Sequence, residues 1–279
     1  MQRTPNPTSG PSTSRRSRTL EPRFAASPVR AACAALVLGL TGASSWADCS
    51  AAGAAITCSP GTTQSTRVGG GLATSDVTLD VQGNAVIDAG NATAISLGNN
   101  TALHIAGGAL VQNNGSSGNG TFGTGPNTIE FHSNNTLVID AGARVLSHGS
   151  SGQAEAINPI GSGNTIRNSG LVETSGGASS ALWFESSSGS NTVVNEAGGT
   201  IRARNGAGAI MGVRGTMAID FTNNGDLVGS LTFADANDTL RLGTGSTISG
   251  PVNGGGGNNT LGLGGAGTDI LDGGITRFP

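Results

Sequence analysis

The chain has 279 residues, of which 48 are Gly and none is Tyr or Lys, so that all 14 basic residues are Arg. Charged residues make up 11% and aromatic residues 3% of the chain, and the formal net charge is −3. The scarcity of helix formers argues against a helical bundle, and the low charge argues against a charge-driven disordered chain. Nucleic-acid binding is excluded because there is no basic surface to neutralise phosphates. A repetitive β structure is the class that these counts favour.

Residues 1–47 are predicted to be a leader that is cleaved from the mature protein. Arg30 precedes an apolar run over Ala31–Leu40, and small residues follow the run, which is the three-part layout of a secretory signal peptide. The run is too short to span a bilayer of about 30 Å. We expect cleavage before Asp48, and we expect residues 1–28 to be either an extended leader or untranslated sequence ahead of a later start.

Only two cysteines, Cys49 and Cys58, follow the predicted leader, in a remaining chain with eight Arg against sixteen Asp and Glu residues. An even pair of cysteines in an exported protein predicts a disulfide. Closing so small a loop would stabilise the fold by about 2 to 3 kcal/mol. A metal site is the alternative, and no nearby His supports it. Residues 48–76 are therefore predicted to form an N-terminal cap that contains the cysteine pair.

From about residue 77 onward the sequence repeats a motif of Asn or Asp, then Thr, then apolar residues two positions apart. The motif is present at Asn135–Ile139, Asp238–Leu242 and Asn259–Leu263, with looser copies at Asn164 and Asn191. Alternation with a period of two predicts short strands with one buried face, separated by Gly- and Asn-rich turns. The positions expected to point inward include Leu103, Ile105, Leu137, Ile139, Leu240, Leu242, Leu261 and Leu263.

A repeat unit of this size cannot bury its inner face alone and must stack on its neighbours. Residues 77–279 are therefore predicted to form a right-handed parallel β-helix, an all-β solenoid of about eight to ten coils stacked about 4.8 Å apart. Asn-rich repeats suit this fold because stacked side-chain amides form ladders. A β-sandwich is the alternative, since short alternating strands also describe it, but the few aromatic residues and the recurring motif favour the β-helix.

Three features of the sequence occur together: a leader, a cysteine pair directly after it, and an Asn/Gly/Thr-rich repeat region that ends in Asp238–Gly243, Gly254–Asp272 and Ile275–Phe278. This combination resembles the passenger domain of autotransporters, the bacterial type V secretion proteins. The resemblance covers nearly all of residues 31–279. It implies export through the periplasm to the cell surface, the outer membrane or the medium. Family passengers are followed by an outer-membrane β-barrel translocator, which this sequence lacks, so we expect the chain to be a truncated N-terminal fragment.

The function that this resemblance implies is a non-catalytic, adhesin-like passenger that binds a host or cell-surface ligand or associates with itself. A β-helical polysaccharide-degrading enzyme is the alternative, because the same fold carries both functions, and a carboxylate cluster on one face of the coils would favour it. No catalytic, cofactor-binding or metal-binding residue is predicted. His104 is expected to point outward as an ordinary surface residue. The nearest carboxylate pairs are Asp235 with Asp238 and Asp269 with Asp272.

One segment, Gly264–Asp272, fits the nonapeptide that binds calcium in parallel β-rolls. Sites of that kind take oxygen ligands from successive turns. A single intact copy supplies only half of such a cage, so we predict at most a weak calcium site near Asp269 and no required cofactor.

Overall fold

The computed structural model describes residues 48–115, 127–149, 153–175, 179–203, 208–213, 215–266 and 274–278, which lie within one compact unit, Ala43–Pro279. These residues form short β-strands and no helix. The described part of the chain therefore contains no helix that is long and apolar enough to span a membrane. The predicted leader in residues 1–47 lies outside the described part of the chain.

The strands are short, and most of them contain three to five residues. In chain order they are β1 (Cys49–Ala52), β2 (Ala55–Cys58), β3 (Thr63–Gln64), β4 (Val68–Gly71), β5 (Thr78–Val81), β6 (Val86–Asp88), β7 (Ile95–Leu97), β8 (Ala102–Ile105), β9 (Leu110–Asn113), β10 (Ile129–Phe131), β11 (Thr136–Ile139), β12 (Arg144–Ser147), β13 (Ile157–Pro159), β14 (Thr165–Asn168), β15 (Leu171–Thr174), β16 (Leu182–Phe184), β17 (Ser190–Asn195), β18 (Thr200–Ala203), β19 (Ala209–Val213), β20 (Ala218–Asn223), β21 (Asp226–Val228), β22 (Ser230–Thr232), β23 (Thr239–Gly243), β24 (Thr247–Ile248), β25 (Val252–Asn253), β26 (Thr260–Gly264) and β27 (Ile275–Thr276).

These strands belong to three parallel sheets that the chain visits in turn. Sheet A has the order β1-β2-β5-β8-β11-β14-β17-β20-β23-β26, sheet B has the order β24-β21-β18-β15-β12-β9-β6-β3, and sheet C has the order β27-β25-β22-β19-β16-β13-β10-β7-β4. One circuit through sheets A, B and C is a coil, and coil 1 consists of β2, β3 and β4. Within the described ranges coils 1 to 8 are complete, and coil 9 contributes β26 and β27. The predicted parallel β-helix is confirmed, and the β-sandwich alternative is wrong because every strand pair except the β1–β2 hairpin is parallel.

The interior consists of aligned apolar columns, as the period-two pattern predicted. In sheet A, Leu103 is paired with Leu137, 34 residues later, and Ile105 is paired with Ile139 on the same inner face. All four side chains are buried. One expectation is wrong: Leu263 is 72% exposed, although it is in register with the buried Leu242. Leu263 lies in β26, the outermost strand of sheet A, so no described strand packs on the other side of it.

The rod begins with an antiparallel hairpin whose strands, β1 and β2, are joined by the predicted disulfide. Cys49 and Cys58 are direct cross-strand partners with a Cα–Cα distance of 4.1 Å, and both are buried. Gly53 occupies the hairpin turn with a φ of +61°, a backbone conformation that favours glycine. Strand β2 also pairs in parallel with β5 of the next coil, so the bridge fixes β1 to the first coil.

The Asn of the repeated motif forms a column at the corner that leads from sheet C into sheet A. Its Oδ1 accepts a hydrogen bond from a backbone N–H of the preceding coil, so the side chain links two coils. Asn135, Asn164 and Asn191 accept in this way from Thr101, Asn135 and Asn164 at 2.7 to 2.9 Å. The motif spacing of 27 residues between Asn164 and Asn191 is therefore the length of one coil.

A second amide column replaces apolar residues inside sheet A. The side chains of Asn168, Asn195 and Asn223 are fully buried and occupy successive coils. The Nδ2 of Asn168 donates to the Oδ1 of Asn195 at 2.8 Å, and the Nδ2 of Asn195 donates to the Oδ1 of Asn223 at 2.9 Å. Each amide satisfies its neighbour, which is the condition for burying such a polar group without a large penalty.

Candidate functional site

His104 points outward from sheet A, as predicted, but it contacts carboxylates on two other coils. Its Nδ1 lies 2.8 Å from an oxygen of Asp80 and its Nε2 lies 2.9 Å from an oxygen of Asp140. The hydrogen bond with Asp140 is the main cause that raises the pKa of His104, and Asp80 raises it further. This arrangement ties three coils together. Within the described part of the chain no group of three or more His, Cys, Asp or Glu side chains is placed to hold a metal ion.

The carboxylate pair Asp235 and Asp238 does not form a site. Asp235 is exposed, whereas Asp238 is 1% exposed and occupies the corner amide column. Its Oδ1 accepts a hydrogen bond from the N–H of Ile219 at 2.7 Å, and burial raises its pKa to about 6. The second pair, Asp269 and Asp272, lies outside the described residues together with most of the predicted calcium segment.

The outer face of sheet C carries a different set of polar side chains, which the register aligns along the rod. Ser96 of β7, Glu130 of β10 and Asn158 of β13 are direct neighbours on successive coils. All three are buried although they point away from the core. The next two positions of the row are Trp183 of β16 and Gly212 of β19. Both of them are partly exposed, so the row opens to solvent at coil 5.

Hydrogen bonds hold this row in place up to Trp183. The hydroxyl of Ser96 donates to Oε1 of Glu130 at 2.7 Å. The Oδ1 of Asn158 accepts from the side-chain amide of Asn127 at 2.9 Å, and the Nδ2 of Asn158 donates to the backbone oxygen of Trp183 at 2.8 Å. The backbone that carries Trp183 is therefore fixed by a buried amide of the preceding coil.

Gly212 makes room for the indole ring of Trp183. A Cβ atom added at Gly212 would lie 2.1 Å from Cε3 and 2.2 Å from Cζ3 of Trp183, so any other residue would displace the ring. The same Cβ position is 3.1 Å from Oγ of Ser180. The benzene part of the indole consequently lies against the backbone of the next coil, beside the hydroxyl of Ser180.

Two carboxyl groups, one on coil 4 and one on coil 5, complete the arrangement. Glu155 is 6% exposed, and its backbone N–H donates to Oδ1 of Asn127 at 3.1 Å. Burial, with a smaller contribution from the negative charge of Glu185, raises the pKa of Glu155 to about 7. Glu185 follows Trp183 by two residues, the spacing that places side chains on one face of a strand. We call Glu155, Ser180, Trp183, Glu185 and Gly212 the Trp183 patch.

The two carboxyl groups of the Trp183 patch differ from three acidic side chains that are paired with Arg in the described segments of the rod. Ion pairs join Arg167 to Glu196, Arg202 to Glu173 and Arg241 to Asp220, each across neighbouring coils. No such pair is present for Glu155 or Glu185 in these segments. The patch therefore combines a partly exposed aromatic ring with two acids that form no ion pair with any described residue.

The sequence contains no local signal for this patch, because its residues come from three coils. Glu155, Ser180, Glu185 and Gly212 become neighbours only through the register of sheet C. The one available signal was Trp183, the only Trp of the chain besides Trp46 in the predicted leader. Comparisons with protein-family models, with curated proteins and with solved structures gave no match.

Proposed function

We propose that this protein is an exported passenger of the autotransporter type, which works as a binding rod and does not catalyse a reaction. The observation that carries the proposal is the stack of parallel coils, whose first coil shares β2 with a disulfide-closed hairpin. Solenoids of this kind offer long repeated surfaces that suit binding. The leader layout of residues 1–47 and the acidic, Lys-free sequence that follows support export.

Export is tested by expressing the full chain in a Gram-negative host and measuring the intact mass of the periplasmic protein. The expected species begins at Asp48 and is two hydrogens lighter than the dithiol form, because Cys49 and Cys58 are bridged. A matched chain with Cys49→Ser and Cys58→Ser must lose this difference while keeping the same N-terminus. Protein that stays in the cytoplasm with residues 1–47 attached would refute export.

A second candidate function, hydrolysis of a polysaccharide, is favoured by the pair of Glu155 and Glu185. Glycoside hydrolases use two carboxyl groups, one of which remains protonated near neutral pH to act as the general acid. Burial and the neighbouring charge give Glu155 that property, since they raise its pKa to about 7. Glu185 would then serve as the base or the nucleophile, and the indole of Trp183 would contact the sugar.

Release of reducing ends from neutral polysaccharides separates the two functions. Under the binding-rod proposal, the wild-type protein and the Glu155→Gln and Glu185→Gln variants all release none above a protein-free blank. Reducing ends that appear with the wild-type protein and disappear in both variants would establish hydrolysis instead. The exposed Asp235→Asn serves as the control substitution, because Asp235 lies far along the chain from the patch and on a later coil.

A further inference from the structure

We propose that Gln64 is a binding site for the chain's own new N-terminus, the α-ammonium group that removal of the leader creates at Asp48. The inference rests on the proposed function, because export implies cleavage before Asp48. It is carried by a hydrogen bond between these two residues, by the position of Gln64 at the end of the core and by the contacts that orient its side-chain amide.

Gln64 is the polar member of an otherwise apolar column on the inner face of sheet B. The coils that follow place these residues at the same inward position: Ile87, Val111, Val145, Val172, Ile201, Leu227 and Ile248. Gln64 is fully buried, although it lies in β3, the end strand of the sheet. Burying an amide where an aliphatic side chain would fit is favourable only if hydrogen bonds satisfy it. The exception in the column therefore marks a contact with a polar group.

The amide of Gln64 is oriented so that its oxygen faces the backbone nitrogen of Asp48. Its Nε2 donates to the backbone oxygen of Thr66 at 3.0 Å and to the Oγ1 of Thr66 at 2.6 Å. Its Oε1 accepts a hydrogen bond from the backbone nitrogen of Asp48 at 3.0 Å. Because the two amide protons are directed to Thr66, the carbonyl side of the amide is the part that serves Asp48.

The disulfide places the nitrogen of Asp48 at this acceptor. Cys49, the next residue, is buried and bridged to Cys58 of β2, so Asp48 is held beside Gln64 although the two are 16 residues apart. One additional residue would move the terminal nitrogen by about 3.8 Å, out of reach of the same oxygen. The site therefore fits a chain that begins at Asp48, and this is the residue at which the leader layout independently predicts cleavage.

Cleavage changes the donor from a neutral peptide N–H into an α-amino group. The ordinary pKa of that group is about 7.7 to 8.0, so it is mostly protonated at neutral pH. Hydrogen bonds with a charged donor are about twice as strong as those between neutral groups. Asp48 is exposed, so the other ammonium protons stay in contact with water. Residues 49–66 contain no ionisable side chain apart from the bridged cysteines. Processing of the leader thus strengthens the contact that fixes β1 over the first coil.

The absence of Lys makes this contact directly measurable. The sequence contains no Lys, so the α-amino group is the only primary amine of the protein. The full chain is expressed in a Gram-negative host, and the mature protein is isolated from the periplasm and identified by its intact mass. It is then treated with the N-hydroxysuccinimide ester of acetic acid at about pH 7.5, near the ordinary pKa of the amine. Hydroxylamine removes acetyl esters, and the mass records acetylation of the amine over time. A captured ammonium group must leave Gln64 and lose a proton before it reacts.

We expect the amine of Gln64→Leu to be acetylated about tenfold faster than that of the wild-type protein, which corresponds to about 1.4 kcal/mol. Gln82→Leu is the matched control, because it makes the same substitution at a partly exposed Gln and leaves the rate unchanged. Thr66→Val keeps Gln64 but removes one of the two acceptors that orient its amide. Its rate should lie between those of the wild-type protein and Gln64→Leu.

Three results would overturn the inference: equal rates in the wild-type protein and Gln64→Leu, an equal increase in Gln82→Leu, or a mature N-terminus other than Asp48. Urea midpoints show whether a faster reaction comes from unfolding. If Gln64→Leu does not fold, a wild-type rate in Thr66→Val overturns the inference instead. Exported protein that begins at Asp48 and reacts equally in all variants would refute this inference alone, whereas protein that stays in the cytoplasm with residues 1–47 attached would refute the proposed function as well.

Discussion

Replacing Asp238 with Asn should stabilise the rod at alkaline pH. Asp238 holds a position in the corner column that Asn135, Asn164 and Asn259 hold on other coils. There the Nδ2 of Asn259 donates to the backbone oxygen of Gly254 at 2.7 Å. Asp238 has no amide at the equivalent atom, and its buried Oδ2 has no hydrogen-bond partner among the described residues. The substitution therefore supplies the donor that the column uses elsewhere.

The magnitude follows from the pKa of the Asp238 carboxyl, which burial raises from 3.8 to about 6. A carboxyl whose pKa is higher in the folded protein stabilises the fold below the unfolded pKa, and that contribution is lost as the pH rises through the folded pKa. The displacement corresponds to at most about 3 kcal/mol. We expect Asp238→Asn to raise the free energy of unfolding by about 1 to 2 kcal/mol near pH 8, because the surroundings of a buried charge relax. Near pH 4 the gain should nearly vanish.

Urea denaturation followed by circular dichroism measures this difference at about pH 4 and pH 8, with the slope of the transition compared between variants. The control is Asp235→Asn, which removes an exposed carboxyl three residues away and should change the midpoint little at either pH. A gain of the same size at both pH values, or a loss at pH 8, would show that Asp238 is not a buried acid in an amide column.

Three further predictions concern other contacts between coils. His104→Gln should lower the urea midpoint below pH 6.5, and this effect should diminish as the pH rises through the raised pKa of His104. Proton NMR of the imidazole measures that pKa independently. An effect on the midpoint that is constant with pH would contradict the contact with Asp140. Replacing both Cys49 and Cys58 by Ser should lower the free energy of unfolding by about 2 to 3 kcal/mol, and a stability equal to that of wild type under oxidising conditions would show that the bridge does not constrain the unfolded chain. Asn195→Ala should lower the free energy of unfolding, measured by urea titration, by about 2 to 4 kcal/mol, because the amides of Asn168 and Asn223 on the coils on either side each lose a buried partner. A decrease smaller than that of an exposed Asn→Ala substitution would refute the inner amide column.

The apolar interior of the rod was predictable from the sequence because it depends on local alternation. Leu137 and Ile139 lie two residues apart and point to the core in the structure, as their spacing indicates. The same rule fails for Ser96, Glu130 and Asn158, which point away from the core and are nevertheless buried. Their burial depends on what packs over sheet C, and a pattern of period two contains no information about that contact.

The Trp183 patch was not predictable because the coils differ in length. Leu103 and its partner Leu137 are 34 residues apart, whereas Asp238 and Asn259 are 21 residues apart. With a variable coil length, the register between Glu155 and Glu185 cannot be counted along the chain. The corner Asn residues were recognisable as a repeat, but their role as acceptors for the preceding coil emerged only from the structure.

All of these contacts depend on one claim, that equivalent residues of sheet A lie one above another along a rod. Thr78, Thr136 and Thr260 are exposed and share one outward column, with Thr136 two coils and Thr260 seven coils beyond Thr78. Distances between spin labels, attached through Cys substitutions in a Cys33→Ser background, test this arrangement. At about 4.8 Å per coil, the pair Thr136/Thr260 should be about 24 Å apart and the pair Thr78/Thr260 about 34 Å apart. A Thr78/Thr260 distance equal to or shorter than the Thr136/Thr260 distance would mean that the chain folds back on itself, and would contradict the rod.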